Sequence, residues 1–208
     1  ESDLDSVDVG ESVILSASET PNKSGQIPIS GFSWDTDSDG LNDVNGVTTE
    51  QSWSEPGNYS VRLSVTSTDS RSASTTRTIA VSDISPPTVS MSPSGQITKG
   101  FGEEMSVSAS FTDNWGVESI DWLFDGSIVL SNYSISEPTS TLSIQVSDDY
   151  SAGEHVASII VTDKSGISTR QDVTVIFMDV SAPVISPYEA QIEVESGDPT
   201  ILQVFAQD

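Results

Sequence analysis

The chain has 208 residues, with 32 acidic against 7 basic side chains, a formal charge of −25 and no cysteine. That balance excludes electrostatic binding of nucleic acid or of an anionic membrane, both of which need clustered Lys and Arg. The missing cysteines exclude a disulfide framework and a thiolate zinc site.

Hydrophobic residues make up 35%, enough for small sandwiches whose sheets keep one polar face. No apolar run approaches the ~20 residues of a membrane span. No signal peptide opens the chain, so an exported protein is expected to carry it as a processed or excised segment. By length, about two domains are expected.

From the amino terminus, Gly10-Glu11-Ser12-Val13 opens a strand in which Val13, Leu15 and Ala17 alternate with polar residues. Phe32-Ser33-Trp34-Asp35 reads as a central strand, and Gly57 to Val65 as a longer one with period two. A β-rich run, Thr78 to Val81, closes the first unit. The pattern then starts again. Gly102-Glu103-Glu104-Met105 leads into Met105, Val107, Ala109 and Phe111 on one face, Ile120 to Phe124 matches the central strand, and Gly153 to Val161 matches Gly57 to Val65. Val173 to Phe177 closes the second unit, and a third copy begins at Ala182.

Short strands, Gly/Ser/Asp turns and no helical period predict an all-β chain of tandem antiparallel sandwiches arranged end to end. The expected units are 1–83, 84–179 and an incomplete 180–208. The joints Asp83-Ile84-Ser85-Pro86-Pro87 and Asp179-Val180-Ser181-Ala182-Pro183 share the form D-x-S-x-P. Proline stiffens such a connection and suits the start of an edge strand.

The stretch after Trp34 carries the clearest chemistry. Asp35, Asp37, Asp39 and Asp43 follow the spacing D-x-D-x-D-G-x-x-D, which lets a tightly curved backbone aim carboxylates at one cation. Gly40 supplies the turn, Leu41 a carbonyl, and Asp43 the far side. The twelfth position is Gly46 rather than a bidentate Glu, so this is no complete EF-hand. Asp-rich turns that cap their own backbone are the plainer alternative.

A second constellation follows from the expected topology. Asp113 and Asp163 fall in loops at the end of the second unit that faces the linker carrying Asp83. The Asp35–Asp43 loop is expected to hang over the same joint. Calcium is therefore the expected ion, with Asp35, Asp37, Asp39, Leu41, Asp43, Asp83, Asp113 and Asp163 as its ligands. The Asp179 joint is expected to repeat the arrangement, with Asp208 in the place of Asp113.

These residues carry a family resemblance. Val9-Gly10-Glu11-Ser12-Val13, Ser33-Trp34-Asp35 and Pro56-Gly57-Asn58-Tyr59-Ser60-Val61 resemble a PKD domain, an immunoglobulin-like fold. The acidic loop Thr36 to Asp43 replaces that family's short turn. The second unit is similar to the Ig-like repeats of bacterial and archaeal surface proteins, through Thr112-Asp113-Asn114-Trp115-Gly116-Val117 and Val161-Thr162-Asp163-Lys164-Ser165-Gly166. The resemblance implies stalk or spacer modules of adhesins, surface layers or secreted hydrolases.

The residues that could suggest a different site have simpler readings. Trp34 and Trp122 are expected in the cores and Trp53 in a core or at its rim, while Trp115 is the best candidate for an exposed contact. His155 is the only histidine and aligns with Tyr59, so it is expected to be structural. Without cysteine, and with one histidine, triad chemistry has no material. Asn22, Asn58 and Asn132 head N-x-S triplets, permissive for glycosylation.

The preferred reading is a non-catalytic structural or adhesive segment of an extracellular or cell-surface protein. Its expected partners are neighbouring repeats, with other surface proteins or glycans as further candidates. The alternative is an accessory polysaccharide- or protein-binding module of a secreted hydrolase. The acidity could also reflect adaptation to high salt without a specific ion site.

Overall fold

The computed structural model describes residues 7–19, 27–133, 135–186, 196–197 and 205–207. Among them there is no helix. The first unit contains β1 (Val7–Asp8), β2 (Val13–Ser16), β3 (Ile29–Asp35), β4 (Val44–Asn45), β5 (Thr48–Gln51), β6 (Gly57–Ser67) and β7 (Ser72–Ser82). Its sheets are β1-β7-β6-β3-β4 and the pair β2-β5.

The second contains β8 (Thr88–Ser92), β9 (Ile97–Gly100), β10 (Glu104–Thr112), β11 (Val117–Phe124), β12 (Ser127–Tyr133), β13 (Thr139–Gln145), β14 (Gly153–Asp163) and β15 (Ser168–Met178). Its sheets are β13-β10-β8 and β12-β11-β14-β15-β9. Beyond it, β16 (Val184–Ser186) pairs antiparallel with β17 (Phe205–Gln207). The molecule is an all-β tandem of sandwiches.

Period two explains the cores. Met105, Val107, Ala109 and Phe111 are buried while every residue between them on β10 is exposed, because alternate side chains of a strand leave opposite faces. They meet Trp122, Ile159, Val161 and Val175 from the other sheet. Trp34, Trp53, Val61 and Val81 form the smaller core of the first unit. The indoles of Trp34 and Trp122 are satisfied by Gly46 O at 2.9 Å and Ser140 Oγ at 3.0 Å, as buried N–H groups must be.

The two units share details finer than strand order. Gly10 and Gly102 both take positive φ, and their N–H groups donate to Trp53 O and Val146 O, each at 2.8 Å. Tyr59 Oη donates to Glu55 O, four residues back, at 2.8 Å. His155 Nε2 lies 2.8 Å from Ser151 O, again four residues back. An aromatic ring near the start of the long strand thus pins the same corner in both units, and His155 is structural.

Candidate metal centre at the joint between the units

The joint is built from polar groups that each hold a loop. Asp113 Oδ1 accepts the N–H groups of Trp115 and Gly116 at 2.9 and 2.8 Å. Asp163 Oδ1 accepts those of Ser165 and Ile167 at 2.9 and 2.8 Å. The Ser165 hydroxyl lies 2.8 Å from both Asp163 Oδ1 and Asp83 Oδ2 and bridges the linker to the second unit. In each of the three acids one oxygen is therefore occupied.

The other oxygen of each, Asp83 Oδ1, Asp113 Oδ2 and Asp163 Oδ2, is buried with no hydrogen-bond partner. One carboxylate oxygen from each acid lies within 4.8 Å of the other two. Asp83 and Asp163 are only 6% and 1% exposed. Buried unpaired anions are costly unless paired or bound to a metal, and an all-oxygen donor set suits a hard cation. The residues fit calcium. Three segments distant in sequence meet here, two of them from loops of the second unit and one from the linker.

Several residues at this joint leave no signal in the spacing of acids. Asp8 is a hub: its Oδ1 accepts Val9 N at 2.9 Å, Ile84 N at 3.1 Å and Asn114 Nδ2 at 3.1 Å, while its Oδ2 accepts the Ser85 hydroxyl. Burial works to raise its pKa, but these hydrogen bonds outweigh it and hold the carboxyl below the ordinary 3.8. Asn114 also donates to Val9 O at 3.0 Å.

Trp115 does not stand out as an exposed contact. It is half-buried and packs against the core of the first unit, with Lys164 Nζ 6.0 Å from its ring centroid. The reason is its place next to Asp113, on the loop that touches the other unit. A clue was in the sequence: an indole sits where an aliphatic residue is usual.

The acidic loop after Trp34 forms a separate group. Asp35, Asp37 and Asp39 come within 4.8 Å of one another, and they do not group with Asp83, Asp113 and Asp163. Asp35 pairs with Arg62 on β6, whereas Gly57 of that strand faces Val81 at the outgoing end. Beyond Asp35 the loop runs toward that end, and Ser38 Oγ donates to Ser60 O at 2.7 Å.

The loop also holds its own cation. Arg62 Nη2 lies 3.1 Å from Asp35 Oδ2 and donates to Gly40 O at 2.9 Å. Asp35 Oδ1, Asp37 Oδ1 and Asp39 Oδ1 accept the N–H groups of Ser38, Asp39 and Leu41. Asp43 Oδ2 accepts Thr36 N and Oγ1 at 2.6 and 2.9 Å, which hold its pKa low. Leu41 is 69% exposed.

The second joint departs from the first. Asp179 Oδ1 accepts Ser181 N at 2.8 Å, but the position equivalent to Asp8 is Gly100. Val180 approaches it so closely that an added Cβ would lie 2.8 Å from Val180 Cγ2. The Asp8 hub is not repeated there, and Asp208 lies outside the described residues. Of the sequon asparagines, Asn58 and Asn132 are exposed on β6 and β12, and Asn22 lies outside the described residues.

No helix among the described residues is long and apolar enough to cross a membrane. No curated protein matches the chain significantly. Among solved structures, fibronectin(III)-like modules of Clostridium thermocellum CbhA are similar at 17% identity, covering 83% of this chain and 88% of that one, with a TM-score of 0.40. The titin domains z1z2, solved in complex with telethonin, are similar at 14% identity, covering 84% and 92%, with a TM-score of 0.47. Residues 2–82 match the family model of the PKD domain. The first unit of this β-sandwich tandem is therefore similar to PKD domains.

Proposed function

We propose that the chain is a non-catalytic structural or adhesive repeat segment of an extracellular or cell-surface protein, with units 1–83, 84–179 and 180–208, and that calcium at Asp83, Asp113 and Asp163 makes its first joint stiff. One observation carries the reading: three buried carboxylate oxygens without partners, contributed by the linker and two loops, at the place where the units meet. A divalent ion there supplies charge that neutralises the acids, and the acids hold the linker against the second unit. Oxygens beyond the three carboxylates complete the six to eight that calcium takes. Asp8, Asn114 and Trp115 align the units around that point.

The polysaccharide-binding alternative needs exposed aromatics. Trp53 is 6% exposed and stacks on Tyr59 at 5.2 Å, and Trp115 is packed against the first unit. Neither offers a sugar platform. A catalytic reading fares no better, since His155 is tied to Asp125 and Ser151 within an aromatic cluster.

The test is small-angle scattering and thermal melting with calcium and with chelator, at constant ionic strength. A clamp makes the calcium form stiffer and higher-melting, and the triple Asp83/Asp113/Asp163→Asn variant loses both responses. A calcium effect no larger than that of sodium at equal ionic strength would overturn the reading.

A further inference from the structure

The two units finish one sheet margin differently. In the first, the edge strand beside β3 is β4, two residues long, and it follows directly on the acidic loop that ends at Asp43. Shortness and charge both keep a sheet margin from recruiting another strand. In the second unit the same place is taken by β12, seven residues long, every one of them exposed and none charged. Ile128 and Tyr133 are 63% and 70% exposed. The strands before and after it, β11 and β13, already hold their places in the two sheets, and among the described residues β12 pairs with β11 alone. Its outer edge therefore presents main-chain N–H and C=O groups at alternate residues.

The whole flank shares this character. β8 and β9 lie at one margin of their two sheets, so β12 and β13 close the opposite side. Between Asp125 and Asp148 the only charged residue is Glu137, in a chain that is 19% charged overall. Asp121, beside the edge on β11, accepts the Ser131 hydroxyl. A bulge at Val129 interrupts the ladder to β11, so the regular part of the edge is Leu130 to Tyr133.

We propose that β12 is a self-association edge: a second copy of this chain adds its own β12 antiparallel across a two-fold axis, joining two five-stranded sheets into one. Charge selects that occupant. Each copy carries −25, so two copies repel wherever acids face each other, and an uncharged flank is where they can meet. A basic partner would instead be drawn to the acidic surfaces. An antiparallel strand pair is also self-complementary, as a two-fold contact requires. A centre at Ser131 places Val129 of each copy opposite Tyr133 of the other, an aromatic–β-branched pair, and Leu130 opposite Asn132. Surface proteins joined in this way would associate side by side through their second units, while the first unit's short acidic margin stays unpaired.

The experiment is sedimentation of the whole, unglycosylated chain over about 10 μM to 1 mM, the range of a weak contact, in chelator and in calcium, with amide exchange measured at both ends of the range. Expected is a monomer–dimer equilibrium that added salt strengthens, because it screens the repulsion between copies. Exchange at Leu130 to Tyr133 should slow as the dimer forms. Asn132→Asp keeps the side-chain shape and adds a carboxylate to the edge, and it should weaken dimerisation roughly tenfold. Asn58→Asp adds the same charge at an exposed position of β6 in the first unit and should change it by less than about twofold. A monomer throughout, a dimer that the two variants affect equally, or protection that appears away from β12 would overturn the proposal.

Discussion

Replacing Asp163 by Asn separates a cation site from a merely acidic surface, because the two accounts demand opposite signs. The side-chain oxygen of Asn can keep the bonds from Ser165 N and Ile167 N, so the loop is retained. What changes is charge. Three carboxylates within 4.8 Å of one another make three repulsive pairs, each worth about 0.9 kcal/mol at the dielectric of water and about 3.5 kcal/mol at an effective value of 20. Neutralising one acid removes two pairs, or about 2–7 kcal/mol of Coulomb repulsion.

In chelator the variant should therefore melt higher than the parent. One kcal/mol corresponds to roughly 4–8 °C for a domain of this size, so even a heavily screened fraction is measurable. In calcium the order should reverse, since the variant has lost a ligand. Calorimetry in chelator and in calcium at equal ionic strength reads both. A variant that melts below the parent in chelator, or that keeps the parent's full calcium gain, refutes the reasoning.

Asp35→Asn and Asp37→Asn should leave the calcium-dependent melting of the joint unchanged, because these acids form a group separate from Asp83, Asp113 and Asp163 and Asp35 is already paired with Arg62; loss of the response would show the loop to be the ion site. Arg62→Ala should instead loosen the loop, with faster amide exchange at Ser38 and Leu41 in chelator, and unchanged exchange would mean the arginine is dispensable. Trp115→Ala should cost about 2 kcal/mol, roughly half the value of a fully buried aromatic, and scattering should show a more flexible joint even in calcium. His155 adds a pH dependence. Burial works to lower its pKa, yet the bonds to Asp125 and Ser151 prevail and raise it above 6.5. Its contribution is thus fully present below 6.5 and is lost as pH rises through the folded value. The second unit's melting point should fall over that window, and His155→Tyr, which copies Tyr59, should flatten the profile.

Much of the fold was legible because period-two alternation, as in β10, records a face directly, and because the repeated units let one strand predict another. The convergence of Asp83, Asp113 and Asp163 was legible too, since topology alone brings those loops to one end. Reach was not. That Asp35, Asp37 and Asp39 gather apart from Asp83, Asp113 and Asp163 is a matter of distance in space, which no residue pattern encodes. Arg62 itself looked like any outward strand residue, although its partner Asp35 lies 27 positions earlier. Asp8 was missed for a similar reason. Its importance comes from a parallel pairing with Ser82 that places it beside the linker, and such long-range pairing leaves no local trace. The packing of Trp115 was not legible because the surface that half-buries it belongs to the other unit.

The parallel pairs at the margins of each unit set how the chain meets tension. A pull on the two ends of a unit draws its first and last strands in opposite directions, and because those strands run parallel their rungs are sheared together rather than peeled one by one. The second unit opposes such a load with four residue pairs, Ile97 to Gly100 against Val175 to Met178. In the first, among the described residues, Val7 and Asp8 pair in the same way with Val81 and Ser82. The bonds from Asp8 to Ile84 and Ser85 lie on the same load line, so they carry force from the linker straight to the strand that must slip.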